Sequence, residues 1–543
     1  MQPVIAQTTP PHTPIPGTLL GNESHHDPLS AHILGIGTAF PPDLLMPQDL
    51  ENFATKWCEP SESLSKTLMV NNHTQIDHRP LVQKITDPLL NQPEPPKIRD
   101  VNKVFMDKGV ELALTAAKKA LSDWGGKLED ITHLICNTCT ASSYPGYDHA
   151  LLMALGLPLT TDRTLLHGVG CAGGLSLVRL AHQLARVPVD ASPIAKPTRI
   201  LVVSTEVTST LCRSEIDELN KASQAPGGDK GWPNVSLCLF SDGASAMIVG
   251  AADGEGRLAS HENSSFEIMD CITETVPDTV EDLGFNVDEY GWKAIISQRV
   301  PKLTSQAVPQ LYNRLLSKPS IAIRAKASKS FSYLASAPSE TQPSSLDWLI
   351  HPGGSLIIAK IEKQLGLLSE DHTRASWHVY QNKGNTSSVS IGAVVEQSRK
   401  VQSREGCIAV AFGPGVTVEM CLLRRTGWKG RVGEDDRSDT EGEAKGNGQD
   451  VDDVAQTSAW QKEDPASTVP APVTTEPTSR AETYADLGIH DGASSLLNGS
   501  SGKAQGLKRR PDSDLAELQQ DTAKRAKVGN GGSADGSSDT RVL

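Results

Sequence analysis

The run HGVGCAGGLSLVRLAHQLA, residues 167–185, is the stretch around which the other informative segments are organised. A short apolar run, 164–170, ends in glycine and delivers Cys171 to the start of a helix whose Leu177, Leu180, Ala181 and Leu184 repeat at i, i+3, i+4 and i+7. A thiol placed there meets unpaired N–H groups and the positive end of the helix dipole, which stabilise a thiolate. Its pKa is then expected to fall below the free value of about 8.5. The flanking glycines let backbone come close to whatever the sulfur attacks. On this pattern alone two readings stay open: an activated nucleophile, or a small cysteine buried as an apolar residue.

Gly168, Gly170 and Gly173 also satisfy G-x-G-x-x-G between a strand and a helix, so a dinucleotide-binding fold is a rival. The motif stands far from the start of the domain, and the cysteine occupies the turn that would face a pyrophosphate. Asp190 does follow near the spacing of a ribose ligand. Cys136-Asn-Thr-Cys139 is a single CxxC with no second pair at zinc spacing, which argues against metal or redox use.

The chain has 543 residues and two ends unlike its middle. Residues 1–28 are rich in Pro, Thr and His, with neither the basic nor the apolar region of a secretory signal. Residues 429–543 lose periodicity and fill with Asp, Glu, Gly, Ser, Thr and Pro, the composition of a disordered tail. Between them lie an expected N-terminal half, 29–258, and C-terminal half, 259–428. Nine cysteines scattered through a chain without an export signal indicate free thiols in a reducing, cytoplasmic compartment. No apolar run approaches the length of a membrane span. The net charge of −14 gives no general affinity for nucleic acid. Two basic clusters in the tail, LKRRP (507–511) and KRAK (524–527), look like a bipartite nuclear-import signal or a solvated charge run.

Working outward, HILGIGT (32–38) reads as a strand, 50–70 as a helix, and 101–124 as a long helix with Phe105, Val110, Leu112, Leu114, Ala117 and Leu121 on its apolar face. A β-branched strand within ITHLICN (131–137) runs into a Ser/Thr turn, and helix 148–155 leads to the cysteine run. RILVVSTE (199–206) and ASAMIVGA (244–251) are further strands. The second half repeats the grammar. LDWLIHPGGSLIIAKIEKQLGL (346–367) gives a strand, His351, a glycine turn, and a helix with Ile357, Ile361 and Leu365 on one face, stopped by Gly366. Asn385 stands on a loop before another helix, and CIAVAFGPGVTVEMCLL (407–423) is a hairpin. Cys171 and His351 thus sit at matching strand-to-helix junctions, as in a duplicated α/β layered fold. The low-complexity stretch 317–345 reads as a surface excursion. Lys66 and Arg79 are candidates for a phosphate-bearing partner.

Five motifs, GCAGG at Cys171, LFSDGA at Phe240, HPGG at His351, GNTSS at Asn385 and AFGPG at Phe412, occur in the order found in type III polyketide synthases. The chain resembles this chalcone-synthase-like family of the thiolase fold over residues 31–425. The resemblance implies a thiolase-like duplicated αβαβα layered fold and an acyltransferase. Cys171 would carry the acyl chain as a thioester. His351 would hold the thiolate in an ion pair, and with Asn385 would stabilise the enolate formed when malonyl-CoA decarboxylates. Phe240 would gate the cavity. Thr140 and Ser387 would touch substrate, and Lys66 a CoA phosphate. No metal or other cofactor is implied, since CoA thioesters are substrates. A homodimer is implied, with Tyr144 reaching the partner's cavity.

Several positions depart from the family pattern. Ala411 replaces a glycine, and Met69 and His73 stand where basic residues bind CoA in plant members. Ala294 falls where plant chalcone synthases place a second gating Phe, and Phe285 where they place Gly. A wider gate suits a long aliphatic starter, though the two changes push cavity volume in opposite directions. The expected activity is extension of a fatty acyl-CoA by several malonyl units, giving alkylpyrones, alkylresorcinols or alkylresorcylic acids. A single-condensation ketoacyl synthase and a silent protein acting through its tail are the alternatives.

Overall fold

The computed structural model describes residues 30–187, 197–224, 228–252, 258–326, 334, 341–400 and 404–426. Both termini assigned to extensions, the two basic clusters and Asp190 lie outside the described residues.

Hydrogen bonding runs through nine strands in the order Asp347–Ile350, Gly406–Gly413, Thr417–Arg425, Phe266–Thr275, Ala31–Ala39, Gly243–Ala251, Arg199–Glu206, His133–Asn137, Asp162–Leu166. Five strands come from the first half and four from the second. They are stitched by one short seam, in which only Ala31, His32 and Ile33 pair with Phe266–Ile268. Ala31–Ala39 is buried at all nine positions, because helices cover both faces; such a strand reads as a continuous apolar run rather than an alternation.

Three cores define the layers. Helices Val110–Trp124 and Tyr147–Leu155 pack on the outer face of the first-half strands, through Ala116, Ala117, Ala120 and Leu151 against Leu134, Leu201 and Ile248. Helices Gly173–Ala185 and Val389–Ser398 fill the middle, between Ile135, Val202 and Met247 on one side and Cys407, Ala409 and Cys421 on the other. Helices Val300–Leu316 and Ser355–Leu365 cover the far face, on Ile408, Val410 and Phe412. Strand Gly406–Gly413 thus alternates by size, with Cys407, Ala409 and Ala411 toward the middle helices and the large residues outward. The result is the αβαβα sandwich expected of the thiolase fold.

Some elements differ from the sequence expectation. The helix expected over 50–70 is two, Pro47–Trp57 and Glu62–His73. Pro60 ends the first, and the Ser61 side chain accepts from Leu64 N to start the second. The long helix begins at Ile98, carries one wider turn at Phe105–Gly109, and buries its alanines rather than Leu112, Leu114 and Leu121. The cause is close approach: a side chain on Gly35 would stand 2.3 Å from the carbonyl of Ala120. Strand Asp162–Leu166 ends before the cysteine run and lies at the sheet edge, largely exposed. The stretch 317–345 is not merely a surface excursion. Helix Pro319–Lys326 buries Ile321 and Ala325, and Leu334 is buried in the same core.

Candidate active site

Cys171 sits in the tight turn Gly170–Ala172 that feeds the middle helix Gly173–Ala185. The surrounding glycines are set by contact. A Cβ on Gly173 would lie 2.1 Å from Asn137 Nδ2, and one on Gly174 would lie 2.5 Å from the carbonyl of Ser388. Two glycines of the G-x-G-x-x-G pattern are therefore spent on internal packing, Gly170 against Pro414 and Gly173 against the end of strand His133–Asn137, and the dinucleotide reading is set aside on that ground.

From the sulfur a chain of contacts reaches the second half. Cys171 Sγ donates to Ser387 Oγ at 3.4 Å. Ser387 has φ 51, in the left-handed region that non-glycine residues rarely occupy, and its N–H is held by Asn385 Oδ1 at 2.9 Å. Asn385 Nδ2 donates to the Gly353 carbonyl at 3.3 Å. Gly353 flanks the imidazole of His351, such that a Cβ on it would be 3.3 Å from Nε2. Ser387 thus links Cys171 to Asn385, and Gly353 links Asn385 to the loop beside the His351 imidazole. Asn385 is fixed from both sides of its backbone, since its N–H donates to Leu239 O at 2.9 Å and its carbonyl accepts from Ser241 N at 3.0 Å. That pairing also ties it to Phe240.

The charge state differs from the expectation. Burial pushes the Cys171 thiol up to about 12; the Ser387 hydrogen bond opposes this and the Glu206 carboxyl adds to it. His351 is 2% exposed, its Nδ1 has no partner, and burial takes it down to about 3. In this geometry removing water from sulfur outweighs the field of the helix start, and the neutral thiol and neutral imidazole are favoured. Burial thus opposes the depressed thiol pKa expected from the helix start.

A hub that sequence reasoning missed is Glu206, fully buried at the end of its strand. It accepts from Thr140 Oγ1 at 3.0 Å, Cys139 N at 3.0 Å, Thr138 Oγ1 at 3.2 Å and Ser388 Oγ at 2.5 Å, and burial raises its pKa. The available signal was a carboxylate closing an otherwise apolar strand. Thr140 is itself fully buried with its hydroxyl engaged on Glu206, so it supports the site rather than lining it. Cys139, dismissed as half of a CxxC, has Sγ 3.4 Å from Ser387 Oγ and shares the cavity with Cys171.

The cavity at Cys171 has a volume of about 20 Å³, and its walls include Ser387, Phe240, Phe285, Ala294, Ile296 and Pro414. His351 and Asn385 are not among its lining residues. Phe240 and Phe285 stand edge to face with ring centres 6.2 Å apart. Phe285 is the cross-strand partner of Ala294 in the two-stranded ribbon Leu283–Asp288 and Gly291–Ile296. An aromatic ring is thereby supplied from one strand while its neighbour is small, so the gate expected to be wider is instead occupied by Phe285. Lys66 lies elsewhere, on helix Glu62–His73, ion-paired with Glu62 at 2.8 Å. Arg79 is buried and donates to the carbonyls of Leu237 at 2.9 Å and Phe240 at 2.8 Å, so it braces the Phe240 segment instead of facing a phosphate. All nine cysteines are free. Among the described residues, no group of His, Cys, Asp and Glu could hold a metal ion, and no helix is long and apolar enough to cross a membrane.

Residues 22–253 match the family model for the N-terminal domain of chalcone and stilbene synthases, and residues 267–426 match that for the C-terminal domain. An acylalkylpyrone synthase, csyB, of Aspergillus oryzae is 34% identical over 404 residues, covering 73% of this chain and 95% of that protein. A type III polyketide synthase, pspB, of Penicillium soppii is 34% identical over 406 residues, covering 74% of this chain and 98% of the relative. Among solved structures, a type III pentaketide synthase from Neurospora crassa matches with a TM-score of 0.65 at 34% identity, over 73% of this chain and 100% of that one. CsyB in complex with CoA-SH matches with a TM-score of 0.64 at 33% identity, over 73% of this chain and 100% of that one.

Proposed function

The chain belongs to the chalcone and stilbene synthase family and is a type III polyketide synthase, an acyltransferase; from that premise we propose that it loads a fatty acyl-CoA on Cys171 and extends it with several malonyl-CoA units, releasing alkylpyrones, alkylresorcinols or alkylresorcylic acids. The observation that carries this reading is the set of contacts linking Cys171 to Ser387, Ser387 to Asn385 and Asn385 to the His351 loop, with Cys171 and Ser387 lining an apolar chamber. The Aspergillus relative named as an acylalkylpyrone synthase supports the product class.

In the loading step the Cys171 sulfur attacks the acyl-CoA carbonyl. Its proton passes to His351 and from there to the departing CoA thiolate, leaving the acyl group as a thioester and releasing CoA. Malonyl-CoA then loses carbon dioxide. Its thioester oxygen, now an enolate, is met by hydrogen bonds from the amide of Asn385 and the imidazole of His351. The enolate carbon attacks the Cys171 thioester and displaces the sulfur, giving a β-ketoacyl-CoA; Cys171 then attacks that thioester, expelling CoA and taking back the lengthened chain for the next round. The chamber is small as it stands, so substrate entry requires Phe240 and Phe285 to separate.

Starter choice rests on those two rings. Phe285→Gly removes the ring facing Phe240 and is expected to raise kcat/KM for the longest acyl-CoAs by roughly fourfold for each methylene newly accommodated. Products weighed by mass spectrometry across a panel of saturated acyl-CoAs check this. An unchanged profile would exclude Phe285 from the selecting wall. Products carrying a single malonyl unit throughout would favour the single-condensation ketoacyl synthase.

We also propose that the protein works as a homodimer joined along the exposed edge strand Asp162–Leu166. Tyr144 at 92%, Leu159 at 81% and Met153 at 57% exposure stand on the elements around that edge. An open strand with apolar neighbours is a template for pairing with a second copy. Light scattering is expected to give about twice 58.0 kDa. Met153→Glu with Leu159→Glu should release the monomer. A monomeric wild type would contradict the proposal.

A further inference from the structure

Helix Cys212–Gln224 presents two acids to the ribbon that carries Phe285. Glu215 and Glu218 are three residues apart and so share one face of the helix. Glu218 pairs with Lys293 at the rim. Glu215 lies inside, only 7% exposed, and its carboxyl accepts from the backbone N–H of Ala294, the residue next to Lys293 on strand Gly291–Ile296. Burial raises its pKa, while the hydrogen bonds of Asn234 and Ser236, the Lys293 charge and the Ala294 N–H draw it back. A carboxyl taken out of water is costly unless its oxygens are met, and here the groups that meet it come from two separate segments.

Those segments are the ones that support the two rings at the chamber. Ala294 is the cross-strand partner of Phe285, in a ribbon that pairs with no other strand among the described residues. On the other side Asn234 Nδ2 donates to Glu215 Oε2, and the Asn234 side chain caps helix Val235–Leu239 by accepting from Leu237 N at 3.0 Å. Phe240 is the residue that closes this short helix. Glu215, Phe240 and Phe285 also line one cavity of about 20 Å³, and the same two rings wall the Cys171 chamber. One carboxyl therefore reaches the supports of both rings.

We propose that Glu215 is the positioning residue of the gate: bonded at once to the ribbon behind Phe285 and to the cap of the helix before Phe240, it holds the two rings edge to face and so sets how bulky a group passes to Cys171. Its consequence for the choice of starter rests on the reading that the chamber takes acyl-CoAs. Glutamine at this position keeps the shape and one acceptor oxygen but turns an amide donor toward one of two donors, so it holds one ring support and releases the other.

Alkylation of Cys171 reads the gate without any CoA thioester. Full-length wild type, Glu215→Gln and Glu215→Ala are treated with iodoacetamide and, separately, with the bulkier N-phenylmaleimide, and the modified peptide bearing Cys171 is quantified by mass spectrometry. The rate with N-phenylmaleimide relative to iodoacetamide is expected to rise roughly tenfold in Glu215→Gln, the scale of one lost hydrogen bond to a charged group, and at least as much in Glu215→Ala. Adding Glu215→Gln to Phe285→Gly should move the ratio little, because the ring it holds in place is gone. The kcat/KM for benzoyl-CoA relative to hexanoyl-CoA should rise in step. Glu215→Gln is isosteric and carries the comparison if the alanine variant does not fold. An unchanged ratio in Glu215→Gln would overturn the proposal. So would equal acceleration with both reagents, or the same rise in the Phe285→Gly background, since either is a general loosening. A raised alkylation ratio in a protein that makes no product from any acyl-CoA would contradict the proposed function and leave the gate assignment standing.

Discussion

Cys171→Ala is expected to abolish polyketide formation, with a loss of roughly 10⁴-fold or more, because no other atom in the proposed cycle can carry the chain as a thioester. The fold should survive the change. Cys171 sits in a turn and only its thiol is removed, leaving the glycine contacts of the central helices intact. Thermal unfolding within a few degrees of the wild type, together with absent product from malonyl-CoA and an acyl-CoA, is the expected pair of results. Retained product would remove Cys171 from the mechanism. Cys139 is the residue that makes this a sharp test, since it faces the same chamber and contacts the same serine hydroxyl. Its thiol is held differently: Glu206 accepts from it at 3.3 Å, and burial together with that carboxyl raises it well above the ordinary thiol range.

Asn385→Ala is expected to leave acyl loading in place and to cut malonyl-CoA decarboxylation by about 10²–10³-fold, the usual loss when one hydrogen-bond donor to a developing oxyanion is removed. Release of carbon dioxide from carboxyl-labelled malonyl-CoA, measured beside single-turnover loading, separates the two steps. The side chain has a second duty, because Oδ1 holds the N–H of Ser387 in its left-handed conformation. Asn385→Asp keeps an acceptor for that N–H and lacks the amide donor. If decarboxylation fails in both variants while loading persists in Asn385→Asp, the amide hydrogen is the catalytic element. If Asn385→Asp decarboxylates normally, the assigned role is wrong.

The parts of this architecture that the sequence made legible are those where local chemistry and fold agree. Helix Gly173–Ala185 announces itself by apolar spacing and glycines, helix Ser355–Leu365 by its face and by Gly366 as a left-handed stop, and the hairpin at Gly413–Gly415 by its turn residues. Cys171, His351 and Asn385 were found by motif resemblance; periodicity alone left each ambiguous. What escaped depends on long-range contact. The alanine face of helix Val110–Trp124 is chosen by Gly35 and Gly37 of a distant strand, so the leucines that dominate the local pattern lose to smaller residues. Glu206 gains its importance only when Cys139 and Thr140 arrive from one distant segment and Ser388 from another. The raised pKa of the Cys171 thiol likewise follows from burial in the assembled fold, which outweighs the opposing Ser387 hydrogen bond and which a helix-start rule cannot contain. Phe285 and Ala294 were seen as opposing changes in size, and it takes the strand register to show that they are neighbours.

The most direct measurement of the central claim is the mass of the loaded enzyme. Incubation of full-length protein with a saturated fatty acyl-CoA, without malonyl-CoA, followed by proteolysis and mass spectrometry, should place one acyl group on the peptide bearing Cys171 and release one equivalent of coenzyme A. An acyl group found on Cys139 instead, or product made with no acyl group on either peptide, would contradict the account.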